Sequence, residues 1–159
     1  MGICLDTFNV LPLLEDPVLA TERVLPWVVA THVKDGVVSL DTDGLLTFPT
    51  AVGKGGIDLP AILGRLATLP HPVHLSVEDH GGSFRTPFFA HDFRARFPDL
   101  DAEDLTRLVA AVQRDGPRMA EGELHVTDRA DWPALCQERT RRDLTALRGL
   151  VASLDEHAS

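Results

Sequence analysis

The sequence predicts an α/β fold built around a parallel sheet. Three short apolar segments, at 3–5, 27–33 and 73–77, alternate with two segments that begin like helices, at 16–25 and 58–69. Strands that alternate with helices along the chain are typical of parallel βαβ units. The chain has 159 residues, the size of one domain, and we therefore expect a single domain over residues 1–159.

The composition and net charge of the chain indicate which partners it can bind and in which compartment it is expected. With 44% hydrophobic and 25% charged residues, the chain is an ordinary globular sequence. Its net charge of −9 argues against nucleic acid as a partner, because phosphate backbones require a basic surface. The sequence has neither an apolar run of about 18 residues nor a basic-then-apolar leader, so no membrane partner is expected and a cytoplasmic location is predicted. Cys4 and Cys136 lack disulfide or metal spacing, and we expect buried, unreactive thiols.

The first βαβ unit is predicted from its boundaries. The opening strand ends at Asp6, and a loop follows. Asp16 and Pro17 are typical of a helix start, with aspartate as N-cap and proline at the first helical position, so a helix is expected to about Leu25. The segment WVVATHV, residues 27–33, is short and β-branched, which predicts a buried second strand.

The middle of the chain predicts a hairpin and a second helix–strand pair. Two apolar runs around the Asp-Gly dipeptide at 43–44 indicate a β-hairpin over residues 37–49. A flexible glycine-rich loop at 53–56 then precedes a helix at 58–69 and the third parallel strand at 73–77.

The last part of the chain predicts a covering loop and two helices. Residues 83–100 contain five of the seven phenylalanines, which favours a long loop packed by its own aromatic side chains. Apolar spacing predicts amphipathic helices over 101–114 and 132–154. No linker divides the chain.

Each of the three predicted parallel strands is followed by, or ends in, a residue that can bind a metal ion. These residues are Asp6, His32 and Glu78, and carboxyl ends of parallel strands meet at one edge of a sheet. Taken singly, an Asp after a strand is often a turn cap and a His in a strand is often a core residue. Two buried carboxylates close together, however, are costly without a cation. The sequence therefore predicts a site for one divalent ion, Mn²⁺, Co²⁺, Mg²⁺ or Zn²⁺.

Four motifs in order resemble those of a known superfamily. LDTFN at 5–9, THVKDG at 31–36, VGKGGIDLPAIL at 52–63 and VEDHGG at 77–82 resemble the xylose isomerase-like TIM barrels, the sugar phosphate isomerase/epimerase superfamily. The resemblance implies a partial (β/α)8 TIM barrel, with about three strand–helix units equivalent to strands 6 to 8, plus C-terminal helices. A full barrel needs about 250 residues, so the other strands would lie outside this sequence.

The resemblance also implies roles for individual residues. Asp6, His32 and Glu78 would be the last three of four metal ligands, the first being a glutamate from the absent fifth strand. Glu78 would also act as acid and base. Lys34 would be catalytic by neutralising developing charge, or would bind a phosphate; its alternative is an ion pair with Asp35 or another loop acid. The expected substrate-binding residues are Asn9, Asp35, His80 and Arg85. Two departures bear on the substrate: Asn9 replaces a histidine of the ketose epimerases, and Lys54 replaces a glutamate common in relatives.

Two classes of function remain open. The first is a divalent-metal-dependent sugar or sugar-phosphate isomerase or epimerase that works through an enediolate, with an inosose-type dehydratase as a variant. The second is a non-catalytic, truncated barrel remnant or oligomerising half-barrel. A small-molecule sugar is the expected partner. Because a three-stranded parallel sheet exposes its edges, a homo-oligomer or association with a missing N-terminal barrel portion is also expected.

Overall fold

The computed structural model describes residues 1–157 and shows a mixed α/β fold with two small sheets. The parallel sheet has the strand order β1-β2-β5, formed by Ile3–Asp6, Val28–Val33 and His74–Val77. The antiparallel sheet has the order β3-β4-β6, formed by Asp35–Asp41, Gly44–Thr50 and Phe84–Thr86. The helices are α1 (Pro17–Val24), α2 (Leu59–Leu66), α3 (His91–Arg94), α4 (Ala102–Ala120) and α5 (Trp132–His157), with 3₁₀ turns at Leu11–Leu13 and Leu25–Trp27. The predicted α/β class and parallel sheet are confirmed; the strands do not close into a barrel within residues 1–157.

The parallel sheet has one covered and one open face. Leu5 and Val33 are buried in a core with Ile62 of α2 and Leu147 of α5. Side chains alternate along a strand, so the opposite face carries the neighbouring residues. There the register aligns Cys4 with Ala30 and His74, and Asp6 with His32 and Ser76.

The cysteine prediction is wrong for Cys4. Its side chain is exposed, because β1 is an edge strand and Cys4 lies on the face that the helices leave open. Cys136, on α5, is only partly buried. Both thiols are free, as expected.

Helix starts follow the predicted caps. Asp16 accepts hydrogen bonds from the backbone N–H groups of Val18 and Leu19, and Asp58 accepts one from Ala61. Asp101 forms a capping box with Asp104 at the start of α4. These carboxylates satisfy N–H groups that have no partner within the helix, which fixes where each helix begins.

The predicted hairpin forms and is extended into a sheet. β3 and β4 pair from Asp35–Thr50 to Asp41–Gly44, and β4 also pairs with β6. The predicted loop over 83–100 therefore contains a strand and the short helix α3. Its aromatic packing is confirmed: Phe88, Phe93 and Phe97 pack around the cluster of Leu14, Val38 and Leu45.

Helix α4 continues six residues past the predicted end at Arg114. The fully buried carboxylate of Asp115 accepts a hydrogen bond from the Val38 N–H at 3.2 Å and pairs with Arg114. This contact binds the helix to the free edge of β3, and the helix continues through Pro117. Over the described residues, no helix has both the length and the apolar character required to cross a membrane.

Candidate metal centre

The structure brings Asp6, His32 and Glu78 together at one end of the parallel sheet. Asp6 is the last residue of β1, and His32, the penultimate residue of β2, is paired with it. Glu78 directly follows β5. One potential ligand atom from each of the three side chains lies within 4.8 Å of the others. The alignment is a direct result of parallel pairing, which places the ends of neighbouring strands side by side.

The three side chains differ in exposure and in the atoms they leave available. Asp6 is the most buried, with 16% of its side chain exposed, against 45% for His32 and 40% for Glu78. Asp6 Oδ1 accepts hydrogen bonds from the N–H groups of Phe8 (3.0 Å) and Asn9 (2.9 Å), which fixes the carboxylate and leaves Oδ2 for other partners. Glu78 Oε2 lies 2.8 Å from His32 Nδ1.

The ammonium group of Lys34 lies between the two carboxylates. Its Nζ is 2.9 Å from Asp6 Oδ2 and 2.9 Å from Glu78 Oε2, and its side chain is only 4% exposed. Burial lowers the pKa of Lys34, but hydrogen bonds to Glu78 and Asp6 and their negative charges raise it more, so that the net shift is upward. Lys34 therefore stays charged and neutralises part of the negative charge of the site. The alternative prediction, an ion pair of Lys34 with Asp35 or another acid, is right about the ion pair, but the partners are Glu78 and Asp6 and not Asp35.

The backbone of Lys34 is held by a buried threonine. Thr7 donates its hydroxyl proton to the carbonyl oxygen of Lys34 (2.6 Å) and accepts a hydrogen bond from the Lys34 N–H (2.9 Å). Thr7 directly follows Asp6 in the chain, so this pair of bonds couples the ends of β1 and β2. The lysine and the aspartate are consequently fixed relative to each other.

Asp35 is placed inside the glycine-rich loop instead of facing the cluster. Its carboxylate, in a residue that is 1% exposed, accepts hydrogen bonds from four backbone N–H groups at 2.8–3.2 Å, those of Gly36, Gly53, Gly55 and Ile57. Burial raises the pKa of Asp35 more than these bonds lower it. A Cβ atom on Gly55 would lie 2.1 Å from Asp35 Oδ1, which explains the glycine. The loop therefore depends on this carboxylate.

The other expected substrate-binding residues are Asn9, His80 and Arg85, and each lies in a different part of the fold. Asn9 is exposed and adjoins Asp6 through its backbone N–H. His80 is partly buried beyond β5, with Nδ1 2.8 Å from the carbonyl oxygen of Gly81. Arg85 lies on β6 and pairs with Asp41 at the turn end of the hairpin, so its guanidinium is engaged away from the cluster.

A second charged network next to the cluster was not predicted. Arg139 of α5 contacts Asp79 (Nη2–Oδ2, 2.8 Å) and Asp143 (Nε–Oδ2, 3.2 Å). Asp143 in turn accepts a hydrogen bond from the Val52 N–H at 3.0 Å, and burial raises its pKa although the charge of Arg139 lowers it. Asp79 is the residue after Glu78, so the network fastens the end of β5 to α5. In the sequence, the spacing of four residues between Arg139 and Asp143 is typical of an ion pair along a helix and could have indicated this part of the network.

The residues of the cluster fit a divalent ion. Two carboxylates and an imidazole are a donor set used by Mn²⁺, Co²⁺ and Zn²⁺, and catalytic sites keep further positions open for water or substrate. Among the described residues, His32 Nε2 and Glu78 Oε1 have no hydrogen bond and remain available. The Lys34 ammonium opposes a second cation nearby, so an ion would have to displace it from at least one carboxylate oxygen.

Comparisons with protein-family models, with curated proteins and with solved structures found no match to this chain.

Proposed function

We propose that the chain forms the metal-binding part of a xylose isomerase-like (β/α)8 barrel that isomerises or epimerises a sugar or sugar phosphate. The observation that supports this most directly is the convergence of Asp6, His32 and Glu78 at the carboxyl ends of three adjacent parallel strands, with ligand atoms within 4.8 Å. Active sites of TIM barrels lie at this end of the strands.

The two faces of the parallel sheet support the barrel part of the proposal. Helices α1, α2 and α5 cover one face, as the outer helices of a barrel do. The other face carries small or polar side chains, Cys4, Ala30, His74 and Ser76, with little packed against them. Parallel sheets are normally covered on both faces. Further strands, from another segment or a second copy, would cover this face and supply a fourth ligand.

Each side chain of the cluster has a defined task in such a reaction. A divalent ion would polarise the sugar carbonyl and so acidify the neighbouring C–H. Glu78, partly exposed, would move the proton through its free Oε1, and His32 would hold Oε2 in place. Lys34 is charged and therefore cannot act as a base; its ammonium would stabilise negative charge on a substrate oxygen. Asp6 is fixed by two backbone N–H groups and would serve as a ligand only.

One observation favours the second candidate, a non-catalytic barrel remnant. The ammonium of Lys34 is 2.9 Å from both carboxylates and already offsets their charge, so the cluster can exist as an ion-pair network without a metal ion. In this case the four residues stabilise the sheet end and no metal binds with appreciable affinity.

Metal titration separates the two candidates. We would titrate the purified chain with Mn²⁺ and Co²⁺ by calorimetry, beside D6N, H32A and E78Q. The control is H74A, which removes an exposed histidine from the opposite end of the same sheet. Saturable binding that each cluster variant weakens by about tenfold or more, and H74A leaves intact, supports the metal site. Equal binding by all five proteins refutes it.

Proton exchange then tests catalysis. The chain with Mn²⁺ would be incubated with aldose and ketose sugars in D₂O, and deuterium entry at the carbon next to the carbonyl would be followed by NMR. Exchange that depends on metal and is abolished by E78Q supports the isomerase or epimerase reaction. Metal binding without exchange supports the remnant.

A further inference from the structure

The parallel sheet ends in two edges that lack a partner strand. Among residues 1–157, β1 and β5 are each paired on one side only. Helices α1 and α2 follow β1 and β2 and pack on the core under the sheet, and α5 follows β5 and packs there too. In parallel βα units the helix leads to a further strand of the same sheet. The unit formed by β5 and α5 therefore lacks the strand that its architecture calls for.

The two edges carry matching apolar surface on the side of the helices. An apolar groove is open over the beginning of β5. At the other edge, Ile3 of β1 pairs with the buried Val28, which places it on the helix-covered side, yet it is 37% exposed. The groove is lined mainly by Leu63, Leu66, Val73, Leu75, Val151 and Leu154.

The open face of the sheet suits a narrow barrel. Apart from His74, the side chains that lie on this face below the cluster are small, namely Cys4, Ala30 and Ser76. The diameter of a barrel grows with the number of its strands, so a barrel of six strands encloses less space than one of eight. Small inward side chains are what a six-stranded barrel can accommodate.

A second copy of the chain satisfies both edges at once. If β1 of each copy pairs in parallel with β5 of the other, a two-fold axis relates the copies and six strands close into a ring without edges. Helix α5 would then cover the new strand pair, and Ile3 of each copy would lie beside Val73 or Leu75 of the other. Pairing of β1 with β1 of the second copy would leave both β5 edges and the apolar groove uncovered.

Closure of the ring also brings a carboxylate to the metal cluster. Asp6, His32 and Ser76 are aligned in one row across the sheet. Continued across the free edge of β5, this row places Asp6 of the second copy opposite Ser76. Because closed barrels need a stagger between strands, a shift of about two residues would place it opposite Glu78 instead. In both registers it adjoins Glu78, whose Oε1 has no hydrogen bond within the described part of the chain.

We propose that the chain forms a two-fold dimer of half-barrels and that Asp6 of the second copy is the fourth ligand of the metal cluster. The strand pairing stands on its own observations, and the ligand role rests on the proposed function. Two carboxylates brought together in this way repel each other unless a cation lies between them. Metal binding and dimer formation are therefore expected to strengthen each other.

Disulfide crosslinking through the native Cys4 tests the strand pairing. Cys4 of the second copy should lie opposite Ser76 or, without a stagger, opposite His74. Within one chain β2 separates these positions from Cys4 by about 9.5 Å, twice the strand spacing, which is too far for a disulfide. Oxidised S76C or H74C should therefore run as a covalent dimer on a non-reducing gel.

The matched controls are the wild type and the variant of each protein that also carries C4S. We expect no covalent dimer from either control, although both retain Cys136. Absence of crosslinks in both S76C and H74C would overturn the pairing of β1 with β5. A wild type that crosslinks as fast as the variants would overturn it too, because this indicates Cys4 next to Cys4.

Mn²⁺ titration of the crosslinking variant tests the ligand role. Its disulfide dimer would be compared by calorimetry with the same protein in its reduced form, diluted until sedimentation shows a monomer. We expect the dimer to bind Mn²⁺ about tenfold or more tightly, because only the dimer has four ligands. Equal affinity of the two forms would overturn the ligand role and leave the three-residue metal site intact. Absence of Mn²⁺ binding to both forms would overturn the ligand role together with the proposed metal site, while the crosslink would still support the pairing.

Discussion

Replacing Lys34 by methionine tests whether its ammonium is the internal counter-ion of the cluster. Methionine retains most of the apolar stem and removes the charge, which leaves Asp6 and Glu78 without their shared cation. Removal of one partner from a fully buried ion pair costs about 3–5 kcal/mol. Asp6 is 16% exposed, but Glu78 is 40% exposed and water screens its charge, so we expect a loss of about 2–3 kcal/mol in the free energy of unfolding.

Urea unfolding at neutral pH, followed by circular dichroism, measures this loss from the shift in midpoint. The control is R85M, which removes the cation from the exposed pair with Asp41 and should leave the midpoint unchanged. In the metal-site interpretation, Mn²⁺ should raise the stability of K34M more than that of the wild type, because the ion takes the place of the ammonium. A loss in K34M as small as that in R85M would refute the counter-ion role.

The raised pKa of Lys34 predicts that the stability of the chain depends on pH in the alkaline range. Its pKa in the folded chain is raised above the ordinary value of 10.5, so its contribution to stability is complete below that value and is lost as the pH rises through the higher folded pKa. The wild type should therefore lose stability in alkali over a range in which K34M, which has no such group, does not. Parallel alkaline unfolding curves for the two proteins would contradict this.

Three further predictions concern the surroundings of the site. G55A should lower the free energy of unfolding by about 2 kcal/mol in urea titrations, because a Cβ would lie 2.1 Å from Asp35 Oδ1. The control is G64A, where nothing lies within 4 Å of the added Cβ and no loss is expected. Equal losses in the two variants would contradict the role given to Gly55. R139M should cost about 3 kcal/mol in the same assay, since it leaves the buried Asp79 and Asp143 unpaired, whereas R148M should be neutral. Because β1 and β5 have one unpaired edge each among the described strands, sedimentation should show a concentration-dependent dimer or larger species, and a monomer at all concentrations would contradict it.

Short sequence patterns were sufficient to predict where the first helices begin and where the hairpin turns. Asp16 with Pro17 and Asp58 with Pro60 mark helix starts by chemistry that involves only a few neighbouring residues, and the Asp-Gly turn at 43–44 does the same for the hairpin. The convergence of Asp6, His32 and Glu78 was predictable because parallel pairing aligns strand ends regardless of the details of packing.

The errors come from contacts between residues distant in sequence. Asp115 binds the edge of β3 across 77 positions and so extends α4, which no local pattern shows. The pairing of β6 with β4 likewise joins residues that are distant in sequence, such as Leu45 and Thr86. Lys34 has Asp35 next to it in sequence, yet alternation along the strands directs its ammonium to Asp6 and Glu78. Exposure of Cys4 follows from the edge position of β1, which topology alone determines.

The carboxylate of Asp35 has a consequence for how the glycine-rich loop acquires its shape. The carboxylate accepts hydrogen bonds from four backbone N–H groups, so these groups are ordered without a ligand. The entropy lost in ordering this glycine-rich segment is therefore part of the cost of folding, and the segment should keep the same shape whether or not a ligand is bound nearby.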